Sequence, residues 1–480
     1  MSRKIRISQA MIVKNEEKNI EKALTWGKQY MYEQVVVDTG STDRTVEIAR
    51  SLGARIYHFD WIDDFAAAKN YAISKCRGDW IVFLDADEYF EPECAAKLPQ
   101  LLESSGEQGF NCILTAWVNL KDDGTPGTVN SQMRIFRHLP GMQYRRRIHE
   151  QVEYSGGTMH VGDATDLMEI MHTGYMTVNN EGKKKSSRNR RLIEMEVNEH
   201  PDDGDILSYL GDEQMFAGEY DDAISTFRKA IDLLKDANRT MNGRYAYDYI
   251  YLIQILLDQN EDREEAIRVY REAVQVFPEE SDFACLIGDA LFGQHRYREA
   301  APYLKEAIDK VERYGITNRG AYTSSNLQNI YQKYAFCLYM TGDLDGAVRV
   351  STIVMKADKK SVLALETFLL SLKKAEERGP VSAEQIVGAL EKLYNLSLDE
   401  DRILIYKGAA DVDYPKVQQY LREQLPEKLL PTLDRIDATA KESLIRGILE
   451  GKAEEKEQDT APEGQRNQTA TPVLKKFLEK

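Results

Sequence analysis

The sequence predicts an α/β domain with a doubly wound, Rossmann-like sheet, followed by an all-α solenoid of helical repeats. The first third of the 480 residues alternates strand-like and helix-like segments. Such alternation is typical of a largely parallel sheet that binds ligands outside the carboxyl ends of its strands. The second half has a helical period with alanines at recurring offsets. A length of about three typical domains agrees with a chain of more than one domain.

Four strands and three helices are predicted in the first third. Short apolar runs give the strands Ile5–Val13, Gln34–Asp38, Ala54–Phe59 and WIVFL, the last being apolar on both faces like a central parallel strand. Polar residues able to cap a helix precede the first two intervening helices. We expect one helix capped by Asn15, one capped by Ser41 or Thr42, and one over Asp64–Lys75. From about Asn111 to Met176 the pattern becomes β-rich.

A repeat runs through the helical half. Ala266 and Ala300 are equivalent positions of two copies and lie 34 residues apart, which is the tetratricopeptide period. Gly211 and Gly288 also occupy equivalent positions. Small residues at fixed offsets let the two helices of a repeat approach closely, and stacked repeats bury a continuous core. The sequence therefore predicts tetratricopeptide repeats that begin near Leu207.

Charge and cysteine content exclude several classes of protein. The net charge is −16, and residues 192–480 alone hold 37 basic and 53 acidic side chains, so we expect no nucleic-acid partner. The five cysteines form no C-x-x-C pair, which favours reduced thiols over a disulfide framework or a zinc ribbon. No apolar run approaches the length of a membrane span, so we expect a cytoplasmic protein without a transmembrane segment.

These patterns divide the chain into five predicted parts. They are an α/β domain over residues 1–180, a basic helical linker over 181–200, repeats over 201–380, a helical C-terminal cap over 381–450, and a disordered tail over 451–480. The tail is polar and lacks aromatic residues until its last few positions. The linker holds the run KKKSSRNRR, which fits a solvated helix face or a contact with phosphates or anionic headgroups.

The clearest chemical signal is the segment LDADE at the end of the fourth strand. Asp85 and Asp87 are two positions apart, so both side chains leave the same face of an extended chain. Two carboxylates held together repel each other unless a cation or hydrogen-bond donors compensate. A Mg²⁺ or Mn²⁺ ion that bridges to a diphosphate is the natural compensation. Taken alone, the triplet fits solvated acids at a strand end equally well.

Four motifs in order give this triplet a context: MIVKNEE, VVVDTGSTDRT, WIDDFAAAKNYA and GDWIVFLDADE. Together they resemble the family 2 glycosyltransferases of GT-A fold over about residues 5–177. The later pieces QMRIFRH, RRIHEQV and MHTGY resemble the branch that couples this domain to tetratricopeptide repeats. Sublancin-type peptide S-glycosyltransferases and repeat-containing flagellin glycosyltransferases share that layout. The resemblance implies a nucleotide-sugar donor, which we expect to be a UDP-sugar.

The resemblance also assigns roles around the donor. Asp38 would accept from the nucleotide base, or act only as a turn aspartate before Gly40, and Asp85 would hold the ribose side. Asp87 would coordinate Mn²⁺ or Mg²⁺, which neutralises the diphosphate leaving group. Asn15, in the first motif, is also assigned to donor binding.

Two histidines and two arginines complete the expected donor site. His149 is the expected third metal ligand or diphosphate contact, with His172 as the alternative. Arg134 and Arg137 would pair with phosphate oxygens or else form a solvated strand face.

Inversion requires a base that takes the acceptor's proton while the sugar carbon is attacked opposite the leaving diphosphate. Many family 2 enzymes have an E-D pair for this after the D-x-D, and this sequence lacks one there. Glu150 is the first candidate and Asp64 the second. A thiol acceptor would need the base less, because cysteine is partly ionised near neutral pH.

We therefore expect a metal-dependent, inverting glycosyltransferase of hexosyltransferase type whose repeats select a peptide or protein acceptor. One alternative is an enzyme that acts on a lipid-linked or cell-surface glycan, with the repeats used for assembly. The other is a non-catalytic adaptor with a decayed transferase domain, against which the intact D-x-D argues. The sugar, the attacking atom (O, S or N) and a homodimeric state stay open.

Overall fold

The protein forms two compact units, Met1–Phe216 and Ala217–Lys480. A computed structural model describes residues 5–174, 181–236, 243–259, 262–315, 317, 322–440 and 445. The predicted disordered tail, 451–480, lies outside these residues, and the five-part division of the chain stays a prediction. Among the described helices, none combines the length and the apolar character that a membrane crossing requires.

A mixed sheet forms the centre of the first unit. Its order is β3-β2-β1-β4-β7-β6-β11-β5, β10 pairs with β6, and β8 and β9 form a separate antiparallel pair. The first four strands are parallel, and β7 is antiparallel to both of its neighbours. The strands are β1 (Ile7–Val13), β2 (Glu33–Asp38), β3 (Arg55–His58), β4 (Trp80–Phe83), β5 (Glu88–Phe90), β6 (Cys112–Leu120), β7 (Pro126–Arg137), β8 (Met142–Arg145), β9 (Gln151–Tyr154), β10 (Val161–Asp163) and β11 (Glu169–His172).

The helices of the first unit differ from the prediction at two caps. They are α1 (Ile20–Thr25), α2 (Thr45–Ser51), α3 (Phe65–Lys75), α4 (Pro92–Glu107), α5 (Glu181–Glu199) and α6 (Gly204–Phe216). The predicted cap at Asn15 is wrong, because α1 begins at Ile20 with Asn19 in the capping position, and Asn15 has a φ of 58°. The predicted cap at Ser41 or Thr42 is also wrong, since α2 begins later and Asp43 accepts the first N–H of that helix. The helix predicted over Asp64–Lys75 is confirmed as α3, and Asp64 is its cap.

Strand register brings the predicted donor-binding residues to one edge. Val13, the last residue of β1, pairs with Asp38, and Ala10 pairs with Phe83 at the end of β4. Asp38 and the D-x-D that follows β4 therefore lie at the carboxyl edge of the parallel strands, where ligands bind in such sheets.

Paired helices build the second unit. They are α7 (Tyr220–Asp236), α8 (Gly243–Asp258), α9 (Arg263–Val276), α10 (Asp282–Gly293), α11 (Tyr297–Tyr314), α12 (Tyr322–Thr341), α13 (Leu344–Ala357), α14 (Val362–Ala375), α15 (Ala383–Leu390), α16 (Asp399–Asp411), α17 (Pro415–Gln424) and α18 (Leu430–Thr439). A Cβ on Gly288 of α10 would lie 2.7 Å from a methyl carbon of Leu304 on α11, so this approach requires glycine. Ala266 and Ala300 are fully buried, as the repeat pattern predicts.

Helix α6, expected to open the first repeat, belongs to the first unit. It packs against α5, while α7 packs against α8 in the second unit. The segment predicted as a linker is thus part of a helical hairpin, formed by α5 and α6, within the first unit.

Candidate active site

The first aspartate of the D-x-D is held by two cations. Asp85 Oδ2 accepts a hydrogen bond from Arg134 Nη2 at 2.8 Å, and its Oδ1 lies 3.4 Å from Lys69 Nζ. Burial by itself would raise the pKa of Asp85, but Arg134 and Lys69 outweigh burial and hold that pKa well below its usual range. Asp85 is therefore a fixed anion at the ligand-binding edge of the sheet.

Lys69 is a buried cation that joins two carboxylates. Its side chain is 2% exposed, and its Nζ lies 2.5 Å from Glu150 Oε1. The rings of Phe83 and Tyr144 lie beside the ammonium, with centroids 5.2 and 5.1 Å away. Burial opposes the charge, yet Asp85 and Glu150 together raise the pKa of Lys69 above its ordinary value. Lys69 thus links the D-x-D to the predicted catalytic base.

Glu88 directly follows the D-x-D and accepts hydrogen bonds from both Asp85 and Arg134. It is 1% exposed, and its Oε2 accepts the backbone N–H of Asp85 at 2.9 Å. Its Oε1 accepts from Arg134 Nη2 at 2.7 Å and from Trp117 Nε1 at 2.8 Å. Burial raises the pKa of Glu88, and Arg134 opposes that rise. These hydrogen bonds hold both Asp85 and Arg134 in position.

The second aspartate faces a histidine. Asp87 Oδ2 lies 3.3 Å from His172 Nε2, because β11 pairs with β5 and places His172 opposite Glu88. His172 stacks on Trp117 at 4.4 Å, and its Nδ1 lies 2.7 Å from Asn119 Oδ1. The Asn119 amide nitrogen donates to Thr128, so its oxygen is the acceptor and His172 Nδ1 carries a proton. In neutral His172 the lone pair of Nε2 then faces the carboxylate.

Asp38 is oriented by its own turn. It is 5% exposed, and its carboxylate accepts the N–H groups of Gly40 and Ser41 at 3.2 and 3.0 Å. His58 Nδ1 lies 3.3 Å from it at the end of β3. Asn15 Oδ1 accepts the N–H of Thr42 at 2.8 Å, so it braces the same turn. Asp38 and Asn15 thus both accept hydrogen bonds from this turn. Contacts of these two residues with a nucleotide-sugar donor remain a prediction.

Three predicted site residues make other contacts in the structure, and their predicted roles are not tested by these contacts. Arg137 pairs with Trp80 at the start of β4, at the opposite edge from the D-x-D. Asp64 caps α3 by accepting the N–H of Ala67 at 2.8 Å. His149 stacks on Tyr209, with ring centroids 3.6 Å apart. Within the described ranges, no three His, Cys, Asp or Glu side chains cluster tightly enough to hold a metal ion by themselves.

Two family models and one relative show what kind of chain this is. The model described as Glycosyl transferase family 2 matches residues 8–170, and a tetratricopeptide repeat model matches residues 254–314. A TPR repeat-containing protein of Synechococcus elongatus is 30% identical over 301 residues, which is 61% of this chain and 71% of that protein. The chain belongs to the family 2 glycosyltransferases that carry tetratricopeptide repeats. The predicted family, fold and enzyme class are confirmed, and the adaptor alternative falls.

This glycosyltransferase is also similar to SPbeta prophage-derived glycosyltransferase SunS of Bacillus subtilis. The two are 27% identical over 255 residues, which is 53% of this chain and 59% of SunS, less than two thirds of that relative. Among solved structures, glucosyl-3-phosphoglycerate synthase of Mycobacterium tuberculosis, in complex with Mn²⁺ and UDP-glucose, is 24% identical. That match covers 24% of this chain and 44% of the synthase, with a TM-score of 0.22.

Sequence reasoning missed two members of the site of this glycosyltransferase. Lys69 shares its face of α3 with buried residues such as Ala66 and Ile73, and a lysine at such a position signals a buried ion pair. Glu88 directly follows Asp87, and its position on β5, which pairs with β11, is what buries it.

Proposed function

We propose that this glycosyltransferase moves a sugar with inversion from a nucleotide-sugar donor, expected to be a UDP-sugar, to a peptide or protein acceptor. The observation that carries the proposal is the cluster at the carboxyl edge of β4, in which Asp85 is fixed by two cations while Asp87 lies 3.3 Å from His172. Asp85 would hold the ribose side of the donor, and Asp38 would accept from its base.

The charge of the cluster supports a divalent metal. Asp85, Glu88 and Glu150 pair with two cations, Lys69 and Arg134, and Asp87 lies beside His172. With the four carboxylates ionised and His172 neutral, two formal negative charges are left. A diphosphate brings further negative charge to the same place. A divalent cation is the compensation that such a site requires, and carboxylate oxygen suits Mn²⁺ or Mg²⁺.

Asp87 and His172 fit such an ion. With His172 neutral, a carboxylate oxygen and an imidazole lone pair face each other, and two such acceptor atoms attract a cation between them. Gly174 leaves room there, because a Cβ would lie 2.4 Å from Asp87 Oδ2 and 2.6 Å from His172 Nε2. Magnesium-type sites in phosphate chemistry use one or two carboxylates plus substrate oxygens, so a third protein ligand is not needed. When bound, the metal would supply Lewis-acid stabilisation of the leaving diphosphate.

Glu150 is the proposed base, held by Lys69 near the D-x-D. With purified full-length protein and a panel of nucleotide sugars, hydrolysis and transfer are measured by mass spectrometry. We expect Glu150→Gln to lower turnover on a hydroxyl acceptor by about 10²- to 10⁴-fold, because that is the usual contribution of general base catalysis. The donor KM should stay within about twofold, since the base acts on the acceptor.

The matched control is Glu153→Gln, an exposed glutamate on β9 that pairs with Arg145. It should keep normal turnover. Equal turnover of Glu150→Gln and the wild type would exclude Glu150 as the base and leave Asp64, which caps α3, as the remaining candidate.

The acceptor is proposed to bind the repeats through charge. Residues 192–480 carry the whole net charge of −16, so a basic acceptor segment would be attracted to them. We expect the acceptor KM to rise about tenfold between 50 and 300 mM salt, because exposed charges are screened over this range. Donor hydrolysis without acceptor should change less than about twofold. An acceptor KM independent of salt would instead favour a glycan acceptor.

A further inference from the structure

The backbone that leads into Glu150 is strained. In the loop Arg146–Glu150, Arg146 has a φ of 78° and His149 a φ of 53°, both in the left-handed region that ordinary side chains avoid. Such conformations cost on the order of 1–3 kcal/mol each and persist only where the surroundings impose them. Something outside the loop must therefore hold it.

The helical hairpin α5–α6 supplies those contacts residue by residue. Arg146 donates to Asp203 at 3.0 and 2.9 Å and to Asp205 at 2.8 Å. The N–H of Arg147 donates to Glu196 Oε2 at 2.8 Å.

The next two loop residues pack on the same hairpin. Ile148 is buried with Leu192, Ile193 and Ile206. The ring of His149 lies flat on Tyr209, with 6° between the planes. Four consecutive loop residues are thus fixed by one hairpin.

We infer that the hairpin α5–α6 positions Glu150 for catalysis, with Glu196 and Tyr209 as positioning residues. The inference rests on the proposed role of this loop in the transfer reaction. Glu150 comes directly after the residue stacked on Tyr209, and with the loop in this conformation its carboxylate lies 2.5 Å from Lys69 Nζ. The hairpin would thus act on the reaction without touching the substrate.

The test is a double-mutant cycle in the full chain. Tyr209→Ala should lower kcat for transfer about tenfold with donor KM within twofold, whereas Tyr209→Phe, which keeps the ring, should stay within twofold of wild type. Glu196→Ala should act like Tyr209→Ala, and its matched control Glu194→Ala, on the exposed pair with Arg190, should not. In a Glu150→Gln background, Tyr209→Ala should lower kcat less than twofold further, because residues acting through one group are not additive.

Thermal unfolding followed by tryptophan fluorescence tests whether the first unit stays folded in each variant, because this unit contains all four tryptophans. Additive effects of Tyr209→Ala and Glu150→Gln would overturn the inference while leaving Glu150 as the base. Normal kcat in both Tyr209→Ala and Glu196→Ala would overturn it as well. If Glu150→Gln and His149→Ala both keep normal turnover, the loop has no catalytic part, and the inference fails together with the proposed base.

Discussion

Asp87→Ala should abolish sugar transfer and donor hydrolysis, with a loss of about 10³-fold or more. The reason is that Asp87 is the D-x-D carboxylate that faces His172, whereas Asp85 forms ion pairs with Arg134 and Lys69. A metal Lewis acid contributes several kcal/mol to such a step, and each 1.4 kcal/mol is about a factor of ten. The measurement is turnover by mass spectrometry, together with activity of the wild type in chelator and after Mn²⁺ or Mg²⁺ is added back.

The control Asp123→Ala changes an exposed aspartate in the β6–β7 turn and should leave activity normal. His172→Ala should raise the metal concentration needed for half activity about 10- to 100-fold, whereas His149→Ala should not change it. The opposite ranking of the two histidines would restore His149 as the metal ligand. Full activity in excess chelator would refute the metal role altogether.

The sequence predicted those parts of the molecule that local chemistry decides. The helix predicted over Asp64–Lys75 follows from a local helical period, and the structure confirms it as α3, with Asp64 as its cap. The helix cap assigned to Asn15 failed, because Asn15 is held by Thr42 from a distant turn. A side chain that can either cap a nearby helix or bind a residue distant in sequence cannot be given one of these contacts from its sequence neighbours alone.

The contacts of the candidate site were harder to predict for the same reason. The contact of His172 with Asp87 depends on the pairing of β11 with β5, two segments that are far apart in sequence. The burial of Lys69 depends on carboxylates from two other elements. Sequence motifs identify candidate residues for such a site, whereas the order of the strands in the sheet determines which of these residues contact each other.

Lys69→Met should unfold the first unit more easily and remove activity. The substitution leaves Asp85 and Glu150 without their shared buried cation, and breaking a buried ion pair from one side costs about 3–5 kcal/mol. Urea unfolding followed by tryptophan fluorescence measures the loss, since all four tryptophans lie in this unit. Lys75→Met changes a half-buried lysine on the last turn of the same helix, whose ammonium lies 4.3 Å from the ring centroid of Tyr71, and should cost less than about 1 kcal/mol.

The free energy of unfolding that Lys69→Met loses should depend on pH in a defined direction. The pKa of Asp85 is held below its unfolded value by Arg134 and Lys69, against the effect of burial, so the stabilisation is fully present above the unfolded pKa near 3.9 and fades as pH falls below it. The difference between wild type and Lys69→Met should therefore be largest near pH 7 and shrink toward pH 3. Adding Glu150→Gln should recover part of the stability without activity, because it removes one of the two stranded charges. A loss no larger than that of Lys75→Met, or one that grows on acidification, would show that Lys69 does not balance these carboxylates.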